Sequence, residues 1–147
     1  MKVTVSDLDR LFQTTPEHYK TPVLQVLTDL ARENKQFPAI LSFQIQRLAR
    51  IAGEEYQTYM KTRRELHAQF GGTEEVKFVV PPENMAEFIP ELKKLLKQEV
   101  EIDCDVLDIP ANLPGPTPED FHFLGPFCTM IGKLNQENTD ANRESTP

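Results

Sequence analysis

The stretch Phe37–Gly72, FPAILSFQIQRLARIAGEEYQTYMKTRRELHAQFGG, decides how this chain folds. Pro38 suits a first helical turn, where its missing N–H would have no intrahelical partner, and no further Pro occurs before Pro81. Leu41, Ile45, Leu48, Ala52 and Tyr59 recur at four- and three-residue steps, resuming at Leu66, while Ile40, Phe43, Ile51 and Tyr56 widen the stripe. Gly71-Gly72 closes the pattern with residues tolerant of positive φ. The spacing predicts one helix over 38–70, ~50 Å long at 1.5 Å per residue. Gly53 inside it costs ~1 kcal/mol relative to Ala and is expected to mark a close approach of another backbone. Beyond Gly53 the residues become more polar, so one end of the rod is expected to project. Such a rod either pairs with the helix before it or offers a coiled-coil-like seam at Leu48, Ala52 and Tyr59 to another chain.

Upstream, Val23, Val26, Leu27, Leu30 and Ala31 follow Pro22 at helical spacing, and Asn34 and Lys35 mark an end. This segment is the natural partner of the long helix. Further back, Ser6 with Asp9 resembles a capping box ahead of an apolar face at Leu8, Leu11 and Phe12, a helix of about two turns that TTPEHYKTP breaks.

Downstream, EVKFVVPP reads as a strand over Val76–Val80, stopped by Pro81-Pro82. A helix follows, opened by Asn84 with Glu87 and carrying Met85, Phe88, Ile89, Leu92, Leu95 and Leu96; Pro90 implies a kink or a fresh start. QEVEIDCDVLDIP then alternates Glu99, Glu101, Asp103 and Asp105 with Val100, Ile102, Cys104 and Val106, a period of two that puts carboxylates on one strand face and apolar groups on the other. The sense of strand pairing is left open. After a Pro-rich loop, Thr117 suits an N-cap with Pro118 at the first helical position. The expected fold is α+β in one domain over 1–131: a long antiparallel helical hairpin (22–70), a small sheet with one packed helix (76–107) and a short helix (117–131). The residues of 132–147 are nearly all polar and read as a flexible tail.

Composition narrows the function. The 147 residues contain no apolar run near the ~20 needed to span a membrane, and no signal-peptide pattern follows Met1. Net charge is −7, unevenly spread: residues 1–70 hold ten Lys and Arg against eight Asp and Glu, and residues 71–147 hold six against fifteen. The acidic half would repel a phosphate backbone and the first half lacks a dense basic stripe, so nucleic acid is not an expected partner. Cys104 and Cys128, without CxxC or ligand-spaced His, read as free thiols. No Gly-rich phosphate loop, HExxH, GxSxG or zinc spacing occurs. No cofactor is expected.

The acidic row admits three readings. Same-face carboxylates on one strand lie ~6.7 Å apart, too far for all four to reach the ~2.0–2.6 Å of one Ca²⁺ or Mg²⁺. They form a solvated or edge-protecting face, a docking stripe for a basic partner, or, with Glu101 and Asp103, the carboxylates of a metal-dependent hydrolase. His18, His67 and His122 read as surface residues, and KTRRE as a charged helix face with pairs such as Lys61 with Glu65.

The order of segments resembles a family of small, functionally unassigned proteins of tailed bacteriophages and prophages. FPAILSFQIQRLARIAGEEYQTYMKTRRELHAQFGG, PPENMAEFIPELKKLLKQEVEID and TPEDFHFLGPF carry the likeness, from Phe37 to Phe127. It implies a gene among those for virion morphogenesis and a structural or assembly role, with no catalytic residues to carry over. The expected function is therefore non-enzymatic: protein–protein contact in virion or tail assembly, in the host cytoplasm and the particle. The partners are other phage structural proteins or a host protein, in a homo-oligomer or hetero-complex. Leu48, Ala52 and Tyr59 would supply apolar contact, and Glu99, Glu101, Asp103 and Asp105 orientation. The alternative is an acidic inhibitor or adaptor that binds a host protein.

Overall fold

A computed structural model describes residues 1–16, 18, 20–110, 113 and 117–130, so the tail expected over 132–147 lies outside the described residues. The protein is α+β, with helices packed around one long helix and two small sheets at its flank. Helix α3, Ala39–Gln69, runs unbroken for 31 residues. Leu41, Ile45, Leu48, Ala52 and Tyr59 are its buried side chains, the stripe expected from spacing. Helix α2, Val23–Glu33, buries Val23, Leu24, Val26, Leu27 and Ala31 and makes the most extensive packing against α3. Phe37, buried in the link, ties the two helices to the core.

Helix α1, Val5–Leu11, adds Val5, Leu8 and Leu11 to the core. Its capping box is Thr4 with Asp7, not Ser6 with Asp9: Thr4 Oγ1 accepts from Asp7 N at 3.1 Å, and Asp7 Oδ2 accepts from Thr4 N at 3.0 Å. Thr4 is extended because it also ends strand β1, Lys2–Thr4, and extended backbone is what an N-cap requires. Asp9 instead accepts from the Gln13 side chain at 2.8 Å.

Strand β2, Glu99–Glu101, pairs antiparallel with β1, placing Lys2 opposite Glu101 and Thr4 opposite Glu99. Strand β3, Leu107–Ile109, pairs in parallel with β4, Cys128–Met130. The connection from β3 to β4 includes α5, Pro118–Leu124, whose start at Thr117 matches the expected cap: Thr117 Oγ1 accepts from Asp120 N at 3.2 Å and Asp120 Oδ2 accepts from Thr117 N at 3.0 Å. The helix ends sooner than the expected span to 131, because Gly125 adopts a positive φ and the chain turns through Gly125–Phe127 into β4.

The strand expected over Val76–Val80 does not form. Glu74–Val76 make one 3₁₀ turn, and Lys77 and Phe78 follow in the left-handed region at φ 56° and 62°. Turn hydrogen bonds from Phe78 N to Thr73 O and from Val79 N to Val76 O hold the segment, and His67 Nδ1 meets Phe78 O at 2.7 Å. Gly72 is required here, since a Cβ would come within 2.9 Å of both His67 O and Phe78 O. The close approach expected at Gly53 belongs to Gly72 instead; a Cβ at Gly53 would meet nothing within 4 Å.

Helix α4, Met85–Leu96, continues through Pro90, so neither a break nor a restart occurs there. It packs on α3 and α1. Phe88 meets His67 and Phe70 edge to face at centroid distances of 4.8 and 5.8 Å. Asn84 makes no side-chain cap to α4; its Nδ2 donates to Phe70 O at 2.8 Å and closes the end of α3. Helix α4 packs on that end through Phe88, yet no side chain of α3 beyond Tyr59 is buried and most there are exposed; His67 is half-buried against Phe88.

Replacing Leu48, fully buried at the middle of the stripe, by Ala is expected to cost about 2–5 kcal/mol in urea unfolding. Gly72→Ala is expected to cost about 1–3 kcal/mol, because both carbonyls that bound it belong to the backbone; an unchanged midpoint would contradict that packing. The two cysteines are free. Burial pushes the Cys128 thiol up to about 12, and burial also raises Cys104, partly offset by the Arg47 guanidinium. In the folded protein at pH 8, iodoacetamide should label Cys104 well before Cys128, the order being read by peptide mass spectrometry.

Candidate functional site

The acidic segment is built by two sheets and the turn between them. Val5 N donates to Gln98 O at 2.9 Å and Ile102 N donates to Met1 O at 2.8 Å, which fixes β2 beside β1. Ile102 is fully buried, and Cys104 N donates back to Ile102 O at 2.8 Å, closing a three-residue turn. The period-two alternation stops at that turn. Glu99 and Glu101 stand on β2, Asp103 in the turn and Asp105 ahead of β3, so the four do not form one straight ribbon. All four are exposed.

Cations lie beside this segment: the Met1 ammonium donates to Ile102 O at 2.7 Å and Cys104 O at 3.3 Å. Lys2 is the cross-strand neighbour of Glu101. Arg47 Nη2 lies 3.4 Å from Asp103 Oδ2, although the Asp103 side chain is 96% exposed. Exposed pairs of this kind contribute about 0–1 kcal/mol, so Arg47 locates Asp103 against α3 more than it stabilises the fold. Among the described residues no three His, Cys, Asp or Glu side chains are grouped to hold a metal ion.

The other expected contact residues are not at the surface. Leu48, Ala52 and Tyr59 lie in the chain's own core, 0%, 0% and 4% exposed, and α2 and the elements around it already cover them. Of the two fates open to the stripe, pairing with the preceding helix is the one the structure shows. What α3 exposes instead is Ile40 (75%) and Phe43 (66%), residues expected to widen the buried stripe. With Gln44 and Arg47 they fall at i, i+3, i+4 and i+7, which makes them neighbours along one helix face. Beside that face lie residues 103–107: Gln44, Arg47, Cys104, Asp105 and Leu107 enclose a notch of about 60 Å³, and Val106 is exposed next to it. Apolar area and carboxylates therefore meet at one end of α3.

A second surface lies further along the same helix, where Tyr56, Gln57, Met60, Lys61, Arg64 and Glu65 form an open, mostly polar face of α3. Tyr56 is held from below by Phe12, their rings stacked at 4.0 Å and 13°. Burial and the nearby Asp9 carboxylate raise the Tyr56 hydroxyl above its usual range, with Arg63 opposing. Arg63 donates to Tyr59 Oη at 3.2 Å, and Arg64 lies 5.9 Å from the Phe78 ring. Among the described residues the ion pair along α3 is Arg50 with Glu54 at 4.0 Å rather than Lys61 with Glu65.

The histidines are scattered. His18 Nε2 stands 3.6 Å from Oδ2 of the buried Asp120, His67 is engaged with Phe78 O, and His122 is exposed against the edge of Phe123. Asp120 Oδ1 and His67 Nε2 are buried with no hydrogen-bond partner among the described residues. Both His18 and Asp120 are remote in sequence, so their approach had no signal in the spacing of residues. No nucleophile-and-base pair and no convergent carboxylates accompany them among the described residues; the chemistry the surface does present is an apolar patch with adjacent charge.

No protein-family model matches the chain, and neither a curated protein nor a solved structure is significantly similar to it.

Proposed function

We propose that the protein is non-enzymatic and works by protein–protein contact in bacteriophage virion or tail assembly, in the host cytoplasm and in the particle. The observation that carries this reading is the exposure of Ile40 and Phe43 on the face of α3 that also bears Arg47, whose guanidinium meets the Asp103 carboxylate at 3.4 Å. A soluble chain gains nothing for its own stability from leaving a Phe two-thirds in water, whereas exposed aromatic and aliphatic groups with a polar rim are the usual composition of a contact site. The helical pair α2 and α3 serves as the rigid support and the acidic segment as the rim. Its carboxylates contribute orientation and association rate rather than most of the affinity. Nucleic acid is disfavoured as the partner because the carboxylates rim the same patch.

The phage setting rests on the resemblance of segment order alone. The acidic rim also suits a host protein with a basic groove, which makes an adaptor or inhibitor the second reading. Cross-linking in infected or induced cells, followed by mass spectrometry of purified particles, separates the two. Cross-links from the Phe43 patch to other structural proteins are expected, and Phe43→Glu should reduce them at least tenfold. Cross-links confined to a host protein, with the chain absent from particles, select the adaptor; contacts unchanged by Phe43→Glu remove the patch from either reading.

A further inference from the structure

We infer that residues 73–79 form a two-state segment: a strained closed turn exchanges with an open form in which 76–80 is an extended strand. The device lies at the other end of α3 from Phe43 and is independent of the contact reading.

The closed form is unusual for its sequence. Residues 73–79 are all exposed, between buried Gly72 and buried Val80, and three of them are large and apolar: Val76 at 46%, Phe78 at 44% and Val79 at 64%. Val79 N donates to Val76 O at 3.2 Å around Lys77 and Phe78, whose φ values of 56° and 62° make this a type I′ turn. Asn and Gly normally fill both central positions of such a turn. A side chain with a Cβ is disfavoured there by roughly tenfold per residue, and neither Lys nor Phe has the short polar group that offsets the penalty in Asn.

The ties that hold the turn closed are few and local. Lys77 N donates to Glu74 O at 3.0 Å and Phe78 N to Thr73 O at 2.9 Å. From α3, His67 Nδ1 meets Phe78 O at 2.7 Å; a carbonyl oxygen only accepts, so Nδ1 carries the proton. Arg64 places its guanidinium 5.9 Å from the Phe78 ring.

Opening relieves both left-handed residues at once, and VKFVV has the composition that favours extended backbone. Because the segment is exposed, water can replace the turn's main-chain bonds. The ends can stay in place: Gly72 N is fixed on His67 O at 2.7 Å, and Val80 is 6% exposed. From Val76 back to Gly72 is four Cα steps, ~15 Å at most, enough to return along the ~13 Å of a strand over 76–80. The open form presents unpaired N–H and C=O groups beside apolar side chains, the state in which a segment adds to the edge of another sheet.

NMR relaxation dispersion and saturation transfer on the isotopically labelled full chain test this. Exchange is expected at residues 76–80 and not along the buried stripe of α3, with a minor state of ~0.1–10% whose chemical shifts are those of extended backbone. Lys77→Gly, which suits positive φ, should lower that population by about threefold or more. His67→Phe keeps a ring against Phe88 but loses the donor, and should raise it by a similar factor; His67→Asn, which restores an N–H donor, should bring it back. Replacing both Lys77 and Phe78 by Val, a β-branched residue poorly suited to positive φ, should make the minor state's shifts the major ones. Flat dispersion at 76–80, minor-state shifts of random coil, exchange shared with the α3 core, or a population that Lys77→Gly increases each overturns the two-state segment. All of these readouts use the free chain, so their failure leaves the contact function untouched.

Discussion

Burial of one stripe along α3 is the constraint on which the remaining structure depends. Leu41, Ile45, Leu48, Ala52 and Tyr59 are almost wholly removed from water, and a helix of 31 residues cannot bury such a stripe by itself. At 1.5 Å per residue α3 is ~46 Å long and α2 only ~16 Å, so α2 covers one part and other elements must cover the rest. They do: α1, β3 and α4 all pack on α3. Three-residue strands and seven-residue helices would not persist alone, so each short element depends on its neighbours: α1 and β3 on α3 directly, β1 on α1 and β2, and α5 on α1 and α2.

This dependence explains what was legible in the amino-acid sequence. The long helix, its partner and the Thr117 cap follow from local rules, because periodicity and capping are set by residues a few positions apart. Strands β1 and β4 gave no such signal: three residues are too few for alternation to register, and each exists through a partner about a hundred or twenty positions away. The reading of Val76–Val80 as a strand fails for a related reason. VKFVV has the β-branched composition of a strand, but the backbone between Gly72 and Pro81 must reverse next to His67, and tertiary context overrides propensity. For the candidate site, the carboxylates were visible and their arrangement was not, because the turn at Ile102–Cys104 depends on burying Ile102 under β1.

That turn changes what the acidic segment can do. A straight strand would have aligned four like charges and left their mutual repulsion as its main property. Strand pairing sets Lys2 across from Glu101, and the bend after Ile102 separates Glu99 and Glu101 from Asp103 and Asp105, puts Arg47 beside Asp103 and brings Asp105 next to Gln44 and Arg47 of α3. Val106, after the same bend, is exposed. Charge and apolar area thus arrive together for a single geometric reason, the anchoring of Ile102 in the core.

The exposure of Ile40 and Phe43 follows from helix geometry with the same force as the burial of their neighbours. At ~100° per residue, Leu41, Ile45, Leu48, Ala52 and Tyr59 fall within about 40° of one another's common line. Tyr56 and Ile51 lie roughly 60–80° from it and are half-buried. Ile40 and Phe43 lie about 100° and 160° away and are exposed. Burial along α3 is therefore graded by angle, and a residue's hydrophobicity does not alter its place on the helix. Counting Ile40 and Phe43 as part of a wider stripe ignored that grading. Two large apolar groups at those angles cannot be recruited to the core without rotating α3 and exposing Leu48 and Ala52, so the fold keeps them at the surface.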